Sequence, residues 1–382
     1  MQQDAAGREA AVLVSIDFGE SDYRESLAEL RLLADTAGVR TVAVVEGKRQ
    51  HPDAALFAGS GKVQEIAALV ERLDAPLVIF NHDLSPAQMR NLTSRLNARV
   101  IDRTMLILDI FAQRAQSHEG KVQVELAQLK YLSTRLVGMN QGMGQQKHAV
   151  GARGPGETKL ELDRRKLGKR VNLLKDRLEK LRHQRAVQRR ARSRSDVLSV
   201  SIVGYTNAGK STLFNRLTRA DVYVADQLFA TLDTTSRRMY TEGSRGVVVS
   251  DTVGFIRHLP HSLVAAFRGT LEETAQADLL LHVVDINNAN HDDQIAEVNK
   301  VLAEIGAAGI PQILVFNKID LQEVPPSVQR DDYGRIARVF LSAKSGAGLG
   351  GLRLALAEAG AVRQAAEAGS ESTTQRVNYG TE

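Results

Sequence analysis

Residues 204–211 have the types and spacing that bind phosphate. The segment consists of Gly204, Tyr205, Thr206, Asn207, Ala208, Gly209, Lys210 and Ser211. It fits the pattern G-x-x-x-x-G-K-[ST], and it follows a strand-like run and precedes a helical pattern, as phosphate binding requires. The glycines let backbone amides face phosphate oxygens, Lys210 bridges the β and γ phosphates, and Ser211 offers its hydroxyl to Mg²⁺. The pattern predicts a nucleoside triphosphate site without specifying the base.

A second segment predicts groups that respond to the γ-phosphate. It follows a predicted strand at 246–250 and consists of Asp251, Thr252, Val253 and Gly254. Asp251 can hold Mg²⁺ through water, and Gly254 lets a backbone amide approach the γ-phosphate. We expect this loop to be ordered by the triphosphate and released after hydrolysis.

A third segment predicts selection of guanine, and it consists of Asn317, Lys318, Ile319 and Asp320. Asp320 can accept hydrogen bonds from N1–H and the 2-amino group of guanine. Adenine offers no such donor pair and would leave the carboxylate unpaired. Asn317 is expected to tie this loop to residues 204–211, and the stem of Lys318 is expected to cover the base. GTP and GDP are therefore the expected ligands.

Two further segments complete the predicted nucleotide site. One follows the last predicted strand and resembles the fifth motif of GTP-binding proteins, with its central amide expected at guanine O6; it consists of Ser342, Ala343 and Lys344. The other is the expected first switch, and it consists of Phe229, Ala230, Thr231, Leu232, Asp233, Thr234 and Thr235. A threonine of this switch is expected to place a second hydroxyl on Mg²⁺, and by composition all three threonines are candidates.

The apolar pattern places these segments in the second of two α/β regions. From 11 to 116, short apolar runs alternate with helical periods, which predicts a βαβα arrangement with a parallel sheet. The same alternation after 197 predicts a second parallel sheet. We therefore predict an N-terminal α/β domain at 1–118, a helical hairpin at 119–196, a Ras-like P-loop GTPase domain at 197–360 and a disordered tail at 361–382.

The N-terminal region contains a weaker phosphate-like pattern at 57–62. Its end, Gly59, Ser60, Gly61 and Lys62, resembles half of a phosphate loop but lacks the first glycine and the leading strand. A helix cap at Ser60 after a glycine turn is the favoured interpretation, and ATP binding at this place is the alternative.

Seven-residue periodicity predicts the two arms of the hairpin. The first seam consists of Val122, Leu126, Leu129 and Leu136, and the second of Leu167, Val171, Leu174, Leu178 and Leu181. Both seams are short, which favours antiparallel packing within one chain. The joining segment, 138–158, contains six glycines and one proline. We expect this tip to order on contact with a partner.

The second arm is strongly basic. Between Arg164 and Arg194 lie 14 Lys or Arg and two acids, a local net charge of +12 in a chain of +5, so the remainder carries −7. Such a block attracts a polyanion, although an ordinary solvated helix face is the alternative. The chain has no cysteine, which excludes disulfides and suits the reducing cytoplasm. No apolar run approaches the roughly 18 to 20 residues of a membrane span, so we expect a cytoplasmic protein without stable membrane insertion.

These motifs in this order resemble the GTPase superfamily, and several segments are similar to the HflX family. The resemblance is carried by GARGPGETK at 151–159 with LELDRR at 160–165, by DQLFATLD at 226–233 and by DTVGFIR at 251–257. It covers about residues 10 to 360. It implies a GTPase that binds the large ribosomal subunit and its rRNA and, with GTP, separates stalled or idle ribosomes, with the hairpin tip entering the peptidyl-transfer region.

The resemblance also bears on single residues. Its likeness to Obg-like and related translation GTPases favours Thr231 as the Mg²⁺ ligand, so Lys210, Thr231 and Gly254 become the candidate catalytic residues. Asn207 resembles a position that coordinates K⁺ in some relatives. The candidate RNA contacts are Arg153, Lys159, Arg164 and Arg165.

Two departures from known patterns have consequences. Phe255 stands where Ras-like proteins carry the water-positioning glutamine, so intrinsic hydrolysis is expected to be slow and stimulated by the ribosome. Longer family members continue with a folded domain, whereas 22 residues follow Gly360 here.

Two other functions are compatible with the same motifs. The first is a GTP-regulated binding module whose basic hairpin docks on an anionic membrane or protein, but no aromatic residue lies opposite the cations of the second arm. The second is an RNA-modifying GTPase, for which the sequence shows no cofactor or nucleophile motif.

Overall fold

A computed structural model of the protein describes residues 8–139, 159–192, 197–220, 227–240, 246–257, 260, 263 and 268–378. The chain divides into two compact units, Met1–Lys180 and Leu181–Glu382. The division lies inside a long helix of the predicted hairpin, whereas the sequence placed the end of the hairpin at residue 196. The domain limits inferred from composition therefore stay predictions. Among the described residues, no helix combines the length and apolar character that crossing a membrane would need.

The first unit is built on a four-stranded parallel sheet in the order β2-β1-β3-β4. Its elements are β1 (Ala10–Asp17), α1 (Tyr23–Thr36), β2 (Arg40–Lys48), α2 (Ser60–Leu73), β3 (Leu77–Phe80), α3 (Pro86–Leu96), β4 (Arg99–Asp102) and α4 (Arg103–Arg114). Strands β1 and β3 are buried along almost their whole length because helices cover both faces of a parallel sheet. The predicted α/β fold of this region is confirmed.

The start of α2 differs from the predicted cap. Gly59 occupies the cap position with φ 85°, and Ser60 is the first helical residue, with no side-chain hydrogen bond capping the helix. Only glycine adopts such a backbone angle readily, which explains why the turn needs Gly59 rather than a capping serine. The cap prediction at Ser60 was therefore wrong by one residue.

Two long helices follow the first sheet, α5 (His118–Met139) and α6 (Lys159–Arg192). They pack on each other through a buried cluster of Val122, Leu126, Leu174 and Leu178, which belong to the predicted seams. An ion pair between Arg170 and Glu125 lies beside the cluster. Residues 140–158 of the predicted tip lie outside the described residues.

Helix α5 is anchored to the first sheet through one buried carboxylate. Asp102, at the end of β4, accepts hydrogen bonds from the Tyr131 hydroxyl at 2.5 Å and from Arg135 Nη2 at 2.7 Å. The Arg135 guanidinium also lies over the Tyr131 ring, 3.4 Å from its centroid. A paired buried charge of this kind fixes the orientation of the helix, because losing either partner would leave the other uncompensated.

The second unit is built on a seven-stranded sheet in the order β10-β11-β9-β8-β5-β7-β6. Its strands are β5 (Leu198–Gly204), β6 (Thr235–Met239), β7 (Val247–Asp251), β8 (Leu279–Asp285), β9 (Gln312–Asn317), β10 (Ser327–Arg330) and β11 (Ile336–Phe340). Its described helices are α7 (Lys210–Thr218), α8 (Arg268–Ala275), α9 (His291–Glu304) and α10 (Leu349–Asn378), and a 3₁₀ turn covers Ile319–Leu321. The core lies between the sheet and its helices.

Three predictions for this unit need correction. The sheet is mixed, because β6 runs antiparallel to β7 and β10 runs antiparallel to β11. Strand β10 was not predicted, since all four of its residues are exposed and show no buried alternation. Helix α10 continues to Asn378, well beyond Ala361, where we predicted disorder.

Candidate functional site

A cavity of about 490 Å³ lies in the second unit where the parallel strands end. Strands β5, β7 and β9 end at Gly204, Asp251 and Asn317, so their carboxyl ends bring three separate sequence segments to one edge of the sheet. This edge is where open α/β sheets bind ligands. The predicted site residues that line the cavity are Thr206, Asn207, Gly209, Lys210, Ser211, Phe229, Ala230, Thr231, Thr252, Gly254, Asn317, Lys318, Asp320, Ala343 and Lys344.

The loop after β5 has the shape of a phosphate cradle. Gly209 takes a left-handed conformation with φ 93°, and a Cβ atom at this position would collide with the Asn317 amide. Helix α7 begins at the next residue, Lys210. The first amides of α7 therefore open toward the cavity, and a helix N-terminus with free amides stabilises bound anions.

Lys210 places a buried cation beside this cradle. Its side chain is 7% exposed, and Nζ donates to the carbonyl oxygen of Tyr205 at 2.7 Å. Burial lowers the pKa of Lys210 to about 8, and the nearby charge of Asp251 opposes that shift. An anionic ligand would stabilise the charged form of a lysine buried in this way, because phosphate oxygens would replace the water contacts that burial removes.

A carboxylate and two hydroxyls converge beneath the cradle. Ser211 Oγ donates to Asp251 Oδ2 at 2.7 Å, Thr231 Oγ1 donates to the same oxygen at 3.0 Å, and the two hydroxyl oxygens are 2.8 Å apart. Burial raises the pKa of Asp251, opposed by its bond from Ser211 and the charge of Lys210. Asp251 Oδ1 is buried and has no hydrogen-bond partner among the described residues.

This group of oxygens fits Mg²⁺. The ion prefers hard oxygen ligands and is usually held by one or two protein groups together with phosphate oxygens and water. The orphaned Asp251 Oδ1 is an acceptor that a Mg²⁺-bound water can satisfy. The structure brings Thr231 to this place, whereas Thr235 begins strand β6.

Asn317 joins the base-selecting loop to two other segments. Its Nδ2 donates to the carbonyl oxygen of Ala208 at 2.8 Å, and its Oδ1 accepts from the Ala343 amide at 2.9 Å. The side chain is almost completely buried. The expected tie to the phosphate cradle is thus present, and the same side chain also positions the loop that carries Ala343.

Lys318 and Asp320 form the predicted base-binding end of the cavity. Lys318 has a left-handed backbone with φ 67°, and its ammonium pairs with Asp285 Oδ2 at 2.7 Å. Asn287 Nδ2 donates to the carbonyl oxygen of Lys318 at 3.0 Å. Asp320 is exposed at the cavity wall. The two ends of Lys318 are therefore fixed, which holds its aliphatic stem at the cavity wall.

Several predicted site residues do not line the cavity. Ile319 and Ser342 are buried in the loops that follow β9 and β11. Asp251 is buried against the hydroxyl groups of Ser211 and Thr231. Gly204, Tyr205, Ala208, Leu232, Asp233 and Val253 are also absent from the lining. Phe255 is 1% exposed and likewise does not line the cavity. Of the predicted RNA contacts, Arg164 and Arg165 are exposed on α6, Lys159 is its first residue, and Arg153 lies outside the described residues.

The structure adds residues to the site that the motifs did not identify. Thr212, Gln227 and Leu321 also line the cavity. Arg216 of α7 donates from Nε to the carbonyl oxygen of Ala343 at 3.2 Å and from Nη2 to that of Lys344 at 2.6 Å. Arg216 showed no sequence signal, since it lies on the helix that follows the motif and belongs to none of the motif positions.

Replacing Arg216 with methionine is expected to weaken GTP and GDP binding by the same factor, about three- to tenfold. The substitution removes two hydrogen bonds that hold the loop of Ala343, and both nucleotides carry the guanine that this loop would contact. Equilibrium titration with each nucleotide would measure the change, with the exposed Arg353→Met as a matched control. A loss confined to one nucleotide would contradict this assignment.

Comparison with known proteins gives a consistent result along most of the chain. Family models match residues 24–112 (GTP-binding GTPase N-terminal), 114–192 (GTP-binding GTPase middle region) and 199–318 (50S ribosome-binding GTPase). GTPase HflX of Escherichia coli strain K12 is 54% identical over 92% of this chain and 82% of its own length. GTPase HflX of Caldanaerobacter subterraneus subsp. tengcongensis is 48% identical over 91% of this chain and 80% of its own length.

The chain belongs to the HflX family of GTPases. The predicted family resemblance is thereby confirmed, as are the P-loop GTPase fold and the hydrolysis of GTP to GDP and phosphate. A solved structure of SsGBP in complex with GDP is similar over 92% of this chain and 98% of that chain, with 26% identity and a TM-score of 0.52. Like P-loop GTPases in general, an HflX GTPase uses Mg²⁺ with its nucleotide.

Proposed function

We propose that this GTPase binds the large ribosomal subunit and, in its GTP form, separates stalled or idle ribosomes into subunits. The observation that carries the proposal is the basic helix α6, the second arm of the hairpin, which the GTP-binding segments follow in the chain. Its described cations face solvent, including Arg164, Arg165, Lys166 and Lys169. A family model described as a 50S ribosome-binding GTPase matches the switch unit, which supports the same partner.

Ribosomal RNA is the polyanion that this helix fits best. Cations that neutralise phosphates gain affinity by releasing counterions, and this gain requires no aromatic stacking. Aromatic residues are only 4% of the chain, so phosphate contacts and RNA shape would provide most of the affinity. We place RNA contacts on Arg153, Lys159, Arg164 and Arg165.

In the GTP site we assign Mg²⁺ to Ser211 and Thr231 directly and to Asp251 through water, because these three oxygens already lie within hydrogen-bond distance of one another. Lys210 and the Gly254 amide would stabilise the γ-phosphate. Phe255 is buried and has no group that orients water. We therefore infer that the ribosome supplies the missing element and stimulates hydrolysis.

Co-sedimentation with ribosomes tests the proposed partner. With a non-hydrolysable GTP analogue, the protein is expected to pellet with large subunits and to shift intact ribosomes into separated subunits, whereas GDP should give weak binding. Binding only to anionic vesicles would instead favour a membrane-docking module. Absence of binding to large subunits with the analogue would remove the proposal.

A charge-reversal variant tests the role of α6. Arg164→Glu with Arg165→Glu is expected to lower the affinity for large subunits by more than about tenfold and to reduce its salt dependence, while GTP binding stays unchanged. The matched control reverses two exposed arginines on other helices, Arg72→Glu with Arg95→Glu.

Deleting residues 142–154 should similarly keep GTP binding and abolish splitting. Retained splitting of ribosomes by the deletion variant would show that this segment only connects the two arms of the hairpin.

We also propose that K⁺ binds near Asn207 and accelerates hydrolysis. Asn207 lines the cavity with a left-handed backbone at φ 61°, and its side-chain amide supplies one oxygen that can accept a cation. K⁺ in place of Na⁺ should raise the rate of GTP hydrolysis, and Asn207→Ala should remove the difference between the two ions. Equal rates in both ions for the unaltered protein would exclude this role.

A further inference from the structure

The side chain of Tyr205 makes a contact that phosphate binding does not require. Tyr205 occupies a position of the phosphate-binding pattern at which any residue type is allowed. Its side chain is nevertheless 7% exposed, and its hydroxyl oxygen accepts a hydrogen bond from the backbone amide of Arg257 at 2.7 Å. The contact joins the phosphate cradle to the loop that follows Asp251.

Two backbone hydrogen bonds lie beside this contact. The Thr206 amide donates to the carbonyl oxygen of Phe255 at 2.7 Å, and the Phe255 amide donates to that of Gly204 at 3.2 Å. Residues of any type other than proline could donate these two bonds, because both use only the main chain. The bond to the Arg257 amide is different, since it depends on the phenol oxygen of Tyr205.

The loop held in this way contains Gly254. A Cβ atom on Gly254 would lie 2.7 Å from Thr206 Cγ2 and 2.9 Å from Lys210 Nζ, so glycine is needed for this close approach. Lys210 is the cation that meets the β and γ phosphates in this class of site. The first switch is also turned inward, with Thr231 on Ser211 and Asp251. Gly254 and Thr231 therefore both lie against groups that are predicted to meet the γ-phosphate and Mg²⁺.

We propose that Tyr205 is a positioning residue whose hydroxyl fixes the second switch at Arg257 and keeps the Gly254 amide beside Lys210. The Gly254 amide would contact the γ-phosphate, which GDP lacks. The Tyr205 hydroxyl therefore favours binding of GTP over binding of GDP. The inference concerns the GTP switch itself and does not depend on ribosome binding.

Tyr205→Phe tests this role because it removes one oxygen and keeps the ring. The affinity for a non-hydrolysable GTP analogue is expected to fall about three- to tenfold, while GDP affinity changes by less than about twofold. The rate of GTP hydrolysis at saturating GTP should also fall. Titration of the full-length protein with both nucleotides and single-turnover kinetics measure these quantities, and Tyr333→Phe, at an 87% exposed tyrosine, is the matched control.

Equal losses for the analogue and GDP would show that the hydroxyl only supports packing of the cradle, and unchanged affinities would show that it does not hold the switch. Either result overturns the proposal. GDP affinity measured on the same sample reports whether the cradle is folded.

A second variant approaches Arg257 from the opposite side. Arg257 Nη2 lies 3.6 Å from Asp293 Oδ2 at the start of α9, and the Asp293 side chain is 72% exposed. An exposed ion pair contributes little to stability, so Asp293→Asn should lower the affinity for the GTP analogue by at most about twofold and leave the GDP affinity unchanged. An Asp293→Asn effect larger than that of Tyr205→Phe would contradict the assignment of the switch contact to the hydroxyl.

Discussion

Lys210→Met is expected to lower GTP affinity by at least about a hundredfold. The ammonium is buried beside the phosphate cradle and would make charge-assisted hydrogen bonds to two phosphates, each worth about 1.5 to 3 kcal/mol. Methionine fills a similar volume and cannot replace either bond. Binding of a fluorescent GTP derivative would measure the loss.

The fold of the Lys210→Met protein should remain intact. Burial lowers the pKa of Lys210 to about 8, so the charged side chain opposes folding of the nucleotide-free protein at neutral pH. Removing the charge should leave the thermal midpoint unchanged or raise it. Lys300→Met, at an exposed lysine on α9, serves as the control. A loss of GTP affinity smaller than about tenfold would show that Lys210 does not contact the phosphates.

Asp320→Asn is expected to change the base preference of the site from guanine to xanthine. Asparagine offers one acceptor and one donor in place of two acceptors, so it fits the 2-oxo group of xanthine and opposes the 2-amino group of guanine. The variant would lose one hydrogen bond to guanine and would place a donor against the 2-amino group. We therefore expect about a hundredfold lower GTP affinity and a higher XTP affinity.

Competition between GTP and XTP for the same fluorescent nucleotide would show the change directly. The matched control is Asp332→Asn, at an exposed aspartate near β11. Unchanged GTP affinity in the Asp320→Asn protein would mean that another residue recognises the base. A loss for both nucleotides, with no gain for XTP, would indicate that Asp320 supports the loop rather than reading the base.

Much of the site was predictable because each of its motifs is local in sequence. The phosphate cradle needs glycines, Lys210 and Ser211 within eight residues, and a strand before it with a helix after it completes the pattern. The seams of the hairpin were recognisable for a similar reason, since a period of seven needs only one helix to be visible. Four of the predicted seam residues form the buried cluster between α5 and α6.

The antiparallel edges of the second sheet were less predictable. Strand β10 is wholly exposed, so its sequence has no buried face to reveal it. The direction of β6 depends on its pairing with β7, and the alternation of strands and helices did not encode that pairing. Helix α10 extends into a polar stretch whose composition resembles a disordered tail.

The sequence by itself determined the class of the ligand and the family, because residue type and spacing within each motif specify which groups meet phosphate and guanine. The family resemblance favoured Thr231 over Thr235, but only the tertiary structure placed the Thr231 hydroxyl on Ser211 and Asp251. Only the tertiary structure revealed that Arg216 holds the loop of Ala343 and Lys344 and that Tyr205 meets the Arg257 amide. These contacts join residues that are 20, 128 and 52 positions apart. Contacts across such distances arise when the sheet brings strand ends together, and no local pattern records them.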